Sequence, residues 1–294
     1  MLRYLLVVLI ILSGCRRQKP EAEHQQQQSD GQRSLDYAEG FRITYQGHVK
    51  LLEVLYPYQG ADKGYKYLLV PRNTKVPPHD ADTRIISIPL RSIVCTSTTH
   101  IPLLDYIDET DKLTGFSTTD FISSPRMRKH IDKGLVTELG VDKGINLEKL
   151  VALQPDMVMG YSMNSDYGQF KKMEEMGIPV VINAEYLEKH PLGRAEWIKF
   201  MAAFFNKEQQ ADSVFNVIKA NYLETKALVK KEKGRVSVMS GIVYGDAWFL
   251  PGGKNYAAKL FNDAGMHYLW EENQSQGYLE LSVESVFEKA HRAD

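Results

Sequence analysis

The sequence predicts an α/β protein: two parallel-sheet α/β lobes joined by one long helix, with an N-terminal β meander and an incomplete second lobe. Three observations predict it. Residues 144–163, GINLEKLVALQPDMVMGYSM, read as helix, turn, strand and loop. Residues 281–294, LSVESVFEKAHRAD, repeat the first part of that unit more loosely. Ser282 stands for Asn146, Glu284 for Glu148 and Asp294 for Asp156, and the repeat stops where its strand would begin. Between the two, residues 207–233 carry Ala211, Val214, Phe215, Ile218, Tyr222, Leu228 and Val229 at helical spacing, with neither Gly nor Pro before Gly234. Such a helix is roughly 38 Å long, more than one lobe needs on its own face, and is read as the beam between lobes.

Met1 to Cys15 has Arg3 as a positive n-region and an apolar stretch from Tyr4 to Leu12 that is too short to span a bilayer. Leu12-Ser13-Gly14-Cys15 matches a bacterial lipobox, so residues 1–15 are read as a lipoprotein signal peptide with Cys15 the lipidated residue. Two or three acyl chains make a stable membrane anchor where one is marginal. Residues 16–40 follow as a disordered tether, because 16–36 is Gln-rich and nearly free of apolar side chains. A coil of about 20 residues reaches roughly 25 Å. The other cysteine, Cys95, lies in the apolar run Ile93-Val94-Cys95 and reads as a small buried hydrophobe.

Residues 41–83 alternate (Phe41, Ile43, Tyr45; Val49, Leu51; Tyr65, Tyr67, Leu69), the pattern of an antiparallel meander. The first lobe is expected over 84–206. Its strands are 84–88, 92–95, 112–116, a short one near Val136, 157–159 and 179–182. Helices intervene at 101–107, around 126–133, at 147–153 and at 166–176, where Gly177 ends the last. Strand and helix alternate, which argues a parallel sheet. Asn146 caps a helix whose first turn holds Glu148, where the dipole favours an anion, and Pro155 forbids its continuation. Residues 191–205 are amphipathic. The partial second lobe, 234–294, opens with a strand at 235–240, a strand and loop at 241–249, and Pro251-Gly252-Gly253-Lys254 before a helix at 255–263 that Gly265 caps.

These residues together resemble a family: the bacterial substrate-binding lipoproteins of ABC importers for iron-siderophores, haem and cobalamin. The resemblance covers about residues 84–294. It rests on Ser97-Thr98-Thr99-His100 after a strand, Asn146-Leu147-Glu148 with Leu153-Gln154-Pro155-Asp156, Gly252-Gly253-Lys254-Asn255 before a helix, and Ser282-Val283-Glu284, in that order. It implies a monomeric envelope protein, anchored on the periplasmic side through Cys15, that binds a metal chelate between two lobes. It further implies delivery to an importer permease docked by Glu148 and Glu284, one carboxylate per lobe for a permease arginine. Ligand residues are expected on strand-end loops: Thr99, His100, Thr119, Phe121 and Tyr161 from the first lobe, Tyr244, Trp248 and Tyr278 from the second. Aromatic rings suit a large planar or macrocyclic complex, and His100 suits haem iron or a ligand carboxylate. The family's second lobe continues past the position of Asp294, so a truncated chain with an open sheet edge is expected.

Lys+Arg 36 against Asp+Glu 37 leaves a net charge of -1, with no basic field for nucleic acid. An exported α/β enzyme is the remoter alternative: there is no Gly-x-Ser-x-Gly elbow and no Walker loop, and no resident cofactor is expected. A zinc- or manganese-binding transport lipoprotein is the other alternative, against which stand eight scattered His without a paired ligand motif.

Overall fold

The computed structural model describes residues 30–141, 144–229 and 236–291. The signal peptide, Cys15, most of the tether, Asp294 and residues 230–235 at the end of the expected long helix lie outside them.

Five strands form the N-terminal sheet in sequential order: β1 (Gly31–Gln32), β2 (Phe41–Gln46), β3 (Val49–Val54), β4 (Tyr65–Pro71) and β5 (Thr83–Ile88). The first four pair antiparallel, as alternation predicts. β5 corrects the expected boundary at 83/84. It pairs parallel to β4, with Leu69 opposite Ile86, and so completes this sheet instead of opening the next.

The tether is corrected too. Residues 30–40 belong to the fold, because two buried carboxylates hold their backbone. Glu196, fully buried, accepts N–H groups from Asp36, Tyr37 and Ala38 at 2.8–3.1 Å. Glu188 accepts from Glu39, Gly40 and the Trp197 indole at 2.8–3.2 Å.

The parallel sheet holds β6 (Ile93–Cys95), β7 (Leu113–Phe116), β8 (Thr137–Glu138), β9 (Met157–Gly160) and β10 (Val180–Ile182) in the order β10-β9-β6-β7-β8. Crossovers are α1 (His100–Tyr106), α2 (Pro125–Asp132), α3 (Leu147–Leu153) and α4 (Gly168–Glu175). The Asn146 side chain accepts from Lys149 N–H, and Gln154 ends α3 in the left-handed region (φ 44°) before Pro155. Strand residues alternate between two cores. Val94, Val158, Val180 and Ile182 meet Leu150, Phe170 and Met173. Cys95, Phe116, Met159 and Val181 join the larger core shared with the N-terminal sheet. Cys95 is a free buried thiol whose pKa burial raises.

α5 (Pro191–Glu196) and α6 (Ile198–Ala203) replace the expected amphipathic segment with one buried on nearly every side. Phe41 packs on Trp197, with centroids 4.8 Å apart, and Phe200 on both. α7 (Glu208–Val229) then runs 22 residues, and Lys50 ties it to the meander through a buried ion pair with Glu208 and bonds to Ala203 O and Asn206.

The second lobe comprises β11 (Ser237–Val238), β12 (Ile242–Tyr244), β13 (Ala247–Pro251), α8 (Tyr256–Asp263), β14 (His267–Tyr268), β15 (Tyr278–Ser282) and α9 (Val283–Ala290). Among the described residues its parallel pairing is confined to β11 with β14, while β12-β13-β15 is antiparallel. Its core is small: Leu250, Ala258, Tyr268, Leu269, Trp270 and Val286.

A carboxylate joins this lobe to α7. Asp263 accepts from Tyr222 Oη and Lys226 Nζ at 2.7 Å and from Lys259 Nζ at 2.5 Å. Burial alone would raise its pKa, but the three donors outweigh burial and hold it at about 2. A carboxylate depressed from 3.8 stabilises the fold above that value and loses its contribution as pH falls through about 2. We expect unfolding experiments between pH 5 and 2 to show about 2 kcal/mol of acid-labile stability that Asp263→Asn lacks relative to wild type. Parallel pH profiles for the two proteins would refute this.

Candidate functional site

The strand order reverses between β6 and β9, and in open α/β sheets the crevice beyond the carboxyl ends at such a switch point binds ligands. Thr96 N–H donates to Met159 O at 3.1 Å across it. Loop 96–99 leaves β6, loop 161–167 leaves β9, and residues 183–187 leave β10.

A polar chain crosses these loops. The Ser97 and Thr99 hydroxyls are 2.8 Å apart, and Thr99 lies close enough to the Glu185 carboxyl to lower its pKa. Burial raises the pKa of Glu185, against Thr99 and the nearby Arg194 charge, which lower it. Glu185 Oε2 and Arg194 Nε are both buried without a hydrogen-bond partner. Buried polar atoms are mostly paired, so these two mark the crevice floor as built for polar contact. Arg194 Nη2 donates to Tyr186 O at 2.7 Å, and Tyr186 Oη donates to Ser162 O at 2.6 Å. The Arg194 guanidinium also lies 3.9 Å above the Tyr256 ring, at the start of α8. One arginine thus joins the β10 loop to the second lobe.

The expected ligand residues divide. Thr99 is exposed at the crevice and Tyr161 is half-buried beside it. Phe121, in the turn after β7, is 72% exposed, and Tyr278 equally so on the second lobe. His100 is withdrawn: it is fully buried as the first residue of α1, neither ring nitrogen has a partner, and burial pushes its pKa down to about 3. An imidazole so enclosed is neutral and presents no surface to a ligand. Thr119 is also buried, its N–H and hydroxyl both donating to Glu138 at 3.1 and 2.7 Å, so it fixes the loop that carries Phe121. Trp248 packs edge-on to Phe287 at 6.4 Å over the second core. Tyr244 pairs with Ala247, whereas Tyr278 pairs with Pro251, four residues along β13. That places the two tyrosines at opposite ends of the sheet, offset by about 14 Å along the strand direction.

Glu185, Tyr186, Arg194 and Tyr256 were missed. Glu185 and Tyr186 follow a strand that the sequence does reveal, so the carboxyl-edge rule would have found them. Arg194 sits inside an amphipathic segment that gives no such signal.

Glu148 and Glu284 are both exposed in the first turns of α3 and α9. Asp156 has a structural duty: it accepts from Arg91 N–H at 2.6 Å and pairs with Arg72. Among the described residues no group of three or more His, Cys, Asp or Glu is placed to hold a metal ion, and no helix is long and apolar enough to cross a membrane.

Residues 93–293 match the family model described as periplasmic binding protein. The chain belongs to that family. An uncharacterized lipoprotein of Methanocaldococcus jannaschii is 27% identical over 286 residues, spanning 88% of this chain and 67% of the relative. A periplasmic binding protein from Veillonella parvula has the same fold, with a TM-score of 0.57, 16% identity, and coverage of 81% of this chain and 69% of its own. The periplasmic haem-binding protein of Vibrio cholerae gives 0.54 and 17%, covering 68% and 73%. In this periplasmic binding protein the family match leaves the N-terminal sheet outside it.

Proposed function

We propose that the protein is an envelope lipoprotein, anchored through Cys15, that binds a metal-chelate nutrient (haem, a ferric siderophore or cobalamin) between its lobes and delivers it to an ABC importer permease. The observation that carries the reading is a pair of exposed aromatic side chains, Phe121 in the turn after β7 and Tyr278 at the start of β15, together with the polar cluster of Thr99, Glu185 and Arg194 beyond the parallel sheet. Rigid aromatic area with a few convergent polar groups suits a large, partly planar chelate. The family, and the haem named for the Vibrio cholerae relative, support the same choice.

The test is quenching of tryptophan fluorescence in the detergent-solubilised chain by hemin, a ferric hydroxamate and cyanocobalamin, with Zn²⁺ as control. Saturable binding of one chelate is expected. Response to Zn²⁺ alone would favour a metal-ion carrier, and silence to all four would remove the chelate reading. Glu148 and Glu284 are the proposed permease contacts. Reversing either charge with Lys should lower uptake at least about tenfold, since each loses a charge-assisted pair, while chelate affinity stays within about twofold. Undiminished uptake by the double variant would sink the docking assignment.

A further inference from the structure

One loop of the N-terminal sheet leaves that sheet and reaches both lobes. The β3–β4 connection, residues 55–64, carries Gln59 at its tip. The Gln59 backbone N–H lies near the Tyr186 hydroxyl, which donates to Ser162 O at 2.6 Å at the crevice of the first lobe. The Gln59 side-chain amide faces the second lobe. Its Nε2 lies 3.4 Å, and its Oε1 4.0 Å, from where a Cβ on Gly277 would stand. Gly277 is itself fixed, its carbonyl accepting from Gly252 N–H at 2.8 Å and Asn255 Nδ2 at 3.2 Å. The next residue is the exposed Tyr278.

The loop is held in this place by its own geometry. Ala61 N–H donates to Tyr58 O at 3.2 Å, and Gly60 takes φ 79°, a region glycine enters without strain. Gly64 passes so close to β3 that a Cβ there would lie 2.4 Å from Val54 O. Pro57 is buried. At the exit, Tyr65 packs edge-on to Tyr167 at 5.6 Å, and Arg84 lies 4.8 Å above the Tyr65 ring while pairing with Glu174 at 2.5 Å. The exit of the loop is thus pinned to the first lobe, and its tip reaches the second.

We propose that loop 55–64 is a third wall of the interlobe site and that Gln59 is a specificity-determining residue contacting the bound molecule. The assignment rests on the chelate reading above. A primary amide offers two donors and one acceptor, and here it stands beside Gly277, the residue before Tyr278. That pairing suits a chelate with carbonyl or carboxylate oxygens at the rim of a flat or apolar body. The wall lies outside the family match, so it would tune this chain's choice of ligand apart from its relatives.

Two measurements on the full chain in detergent test it. First, Gln59→Cys combined with Gly277→Cys is treated with a short bis-methanethiosulfonate. Most molecules should link within one chain, and neither single variant should; failure to link would overturn the bridging loop whatever the ligand. Second, hemin, a ferric hydroxamate and cyanocobalamin are titrated into wild type, Gln59→Ala and Gln59→Glu. For the probe that wild type binds, Gln59→Ala should weaken affinity by about tenfold, the loss of one ligand hydrogen bond. Gln59→Glu should weaken it further by repelling rim oxygens, with melting temperatures unchanged. Wild-type binding that neither substitution moves would overturn Gln59 as a contact while leaving the chelate reading standing. No binding of any probe by wild type would overturn both.

Discussion

Replacing Glu196 with alanine will destabilise the protein by about 4 kcal/mol, the scale expected when one partner of a buried ion pair is removed. The carboxylate is completely buried and accepts four donors: the backbone N–H groups of Asp36, Tyr37 and Ala38, and Lys199 Nζ at 2.7 Å. Alanine leaves three backbone donors without their acceptor. It also leaves the Lys199 ammonium, 6% exposed, with Asp212 at 3.7 Å and the Phe215 ring at 4.6 Å as its remaining charge contacts among the described residues. Unfilled buried donors each cost about 1–3 kcal/mol, so water entering the gap limits the loss but does not cancel it. Glu196→Gln keeps one acceptor oxygen and should fall between, because Lys199 still loses its countercharge. Urea midpoints measure the stabilities, and limited proteolysis at 33–40 reports whether the segment has come away. A Glu196→Ala midpoint within about 1 kcal/mol of wild type would mean that the clamp is incidental.

The same clamp shows why part of the fold was illegible. Residues 30–40 look like tether because they offer no apolar periodicity, and their attachment runs through backbone N–H groups to carboxylates about 150 residues away. No local pattern encodes such a partner. The parallel lobe was legible because each boundary has a local cause: Asn146 at a cap, Pro155 after a helix, Gly177 at φ 80°. Residues 84–88 read correctly as a strand, yet alternation is silent on which sheet a strand joins, and β5 went to the meander. His100 was chosen for its chemistry in a loop. Helix α1 begins at that residue and carries its ring into the core, which only the backbone path decides. Tyr244 and Tyr278 were grouped as aromatics on strand-end loops, and the register of β13 against its two neighbours separates them.

Substituting Gly253 with alanine should disable the second lobe's share of the site. A Cβ at Gly253 would lie 2.3 Å from Asn273 O, 2.5 Å from Glu271 O and 2.6 Å from Trp270 O. All three are backbone atoms, so no side-chain rotation relieves the clash. Overpacking costs about 1–3 kcal/mol where side chains yield, and the upper end is the floor here. The lobe has little to set against it, since its core rests on Leu250, Tyr268, Trp270 and a few neighbours. The segment the added methyl would push on, 270–277, leads into Gly277, which bonds Gly252, and Tyr278 at the start of β15. We therefore expect chelate affinity to fall by at least about tenfold, the equivalent of 1.4 kcal/mol. Hydrogen exchange should accelerate across 247–282 and stay unchanged in β6–β10, whose packing does not involve this loop. Lys254→Ala, exposed in the same turn, supplies the control, and it should bind as wild type does. Equal affinities for the alanine variants at 253 and 254 would show that the ligand makes no use of this edge. The site would then belong to the first lobe and the loop at 55–64 alone.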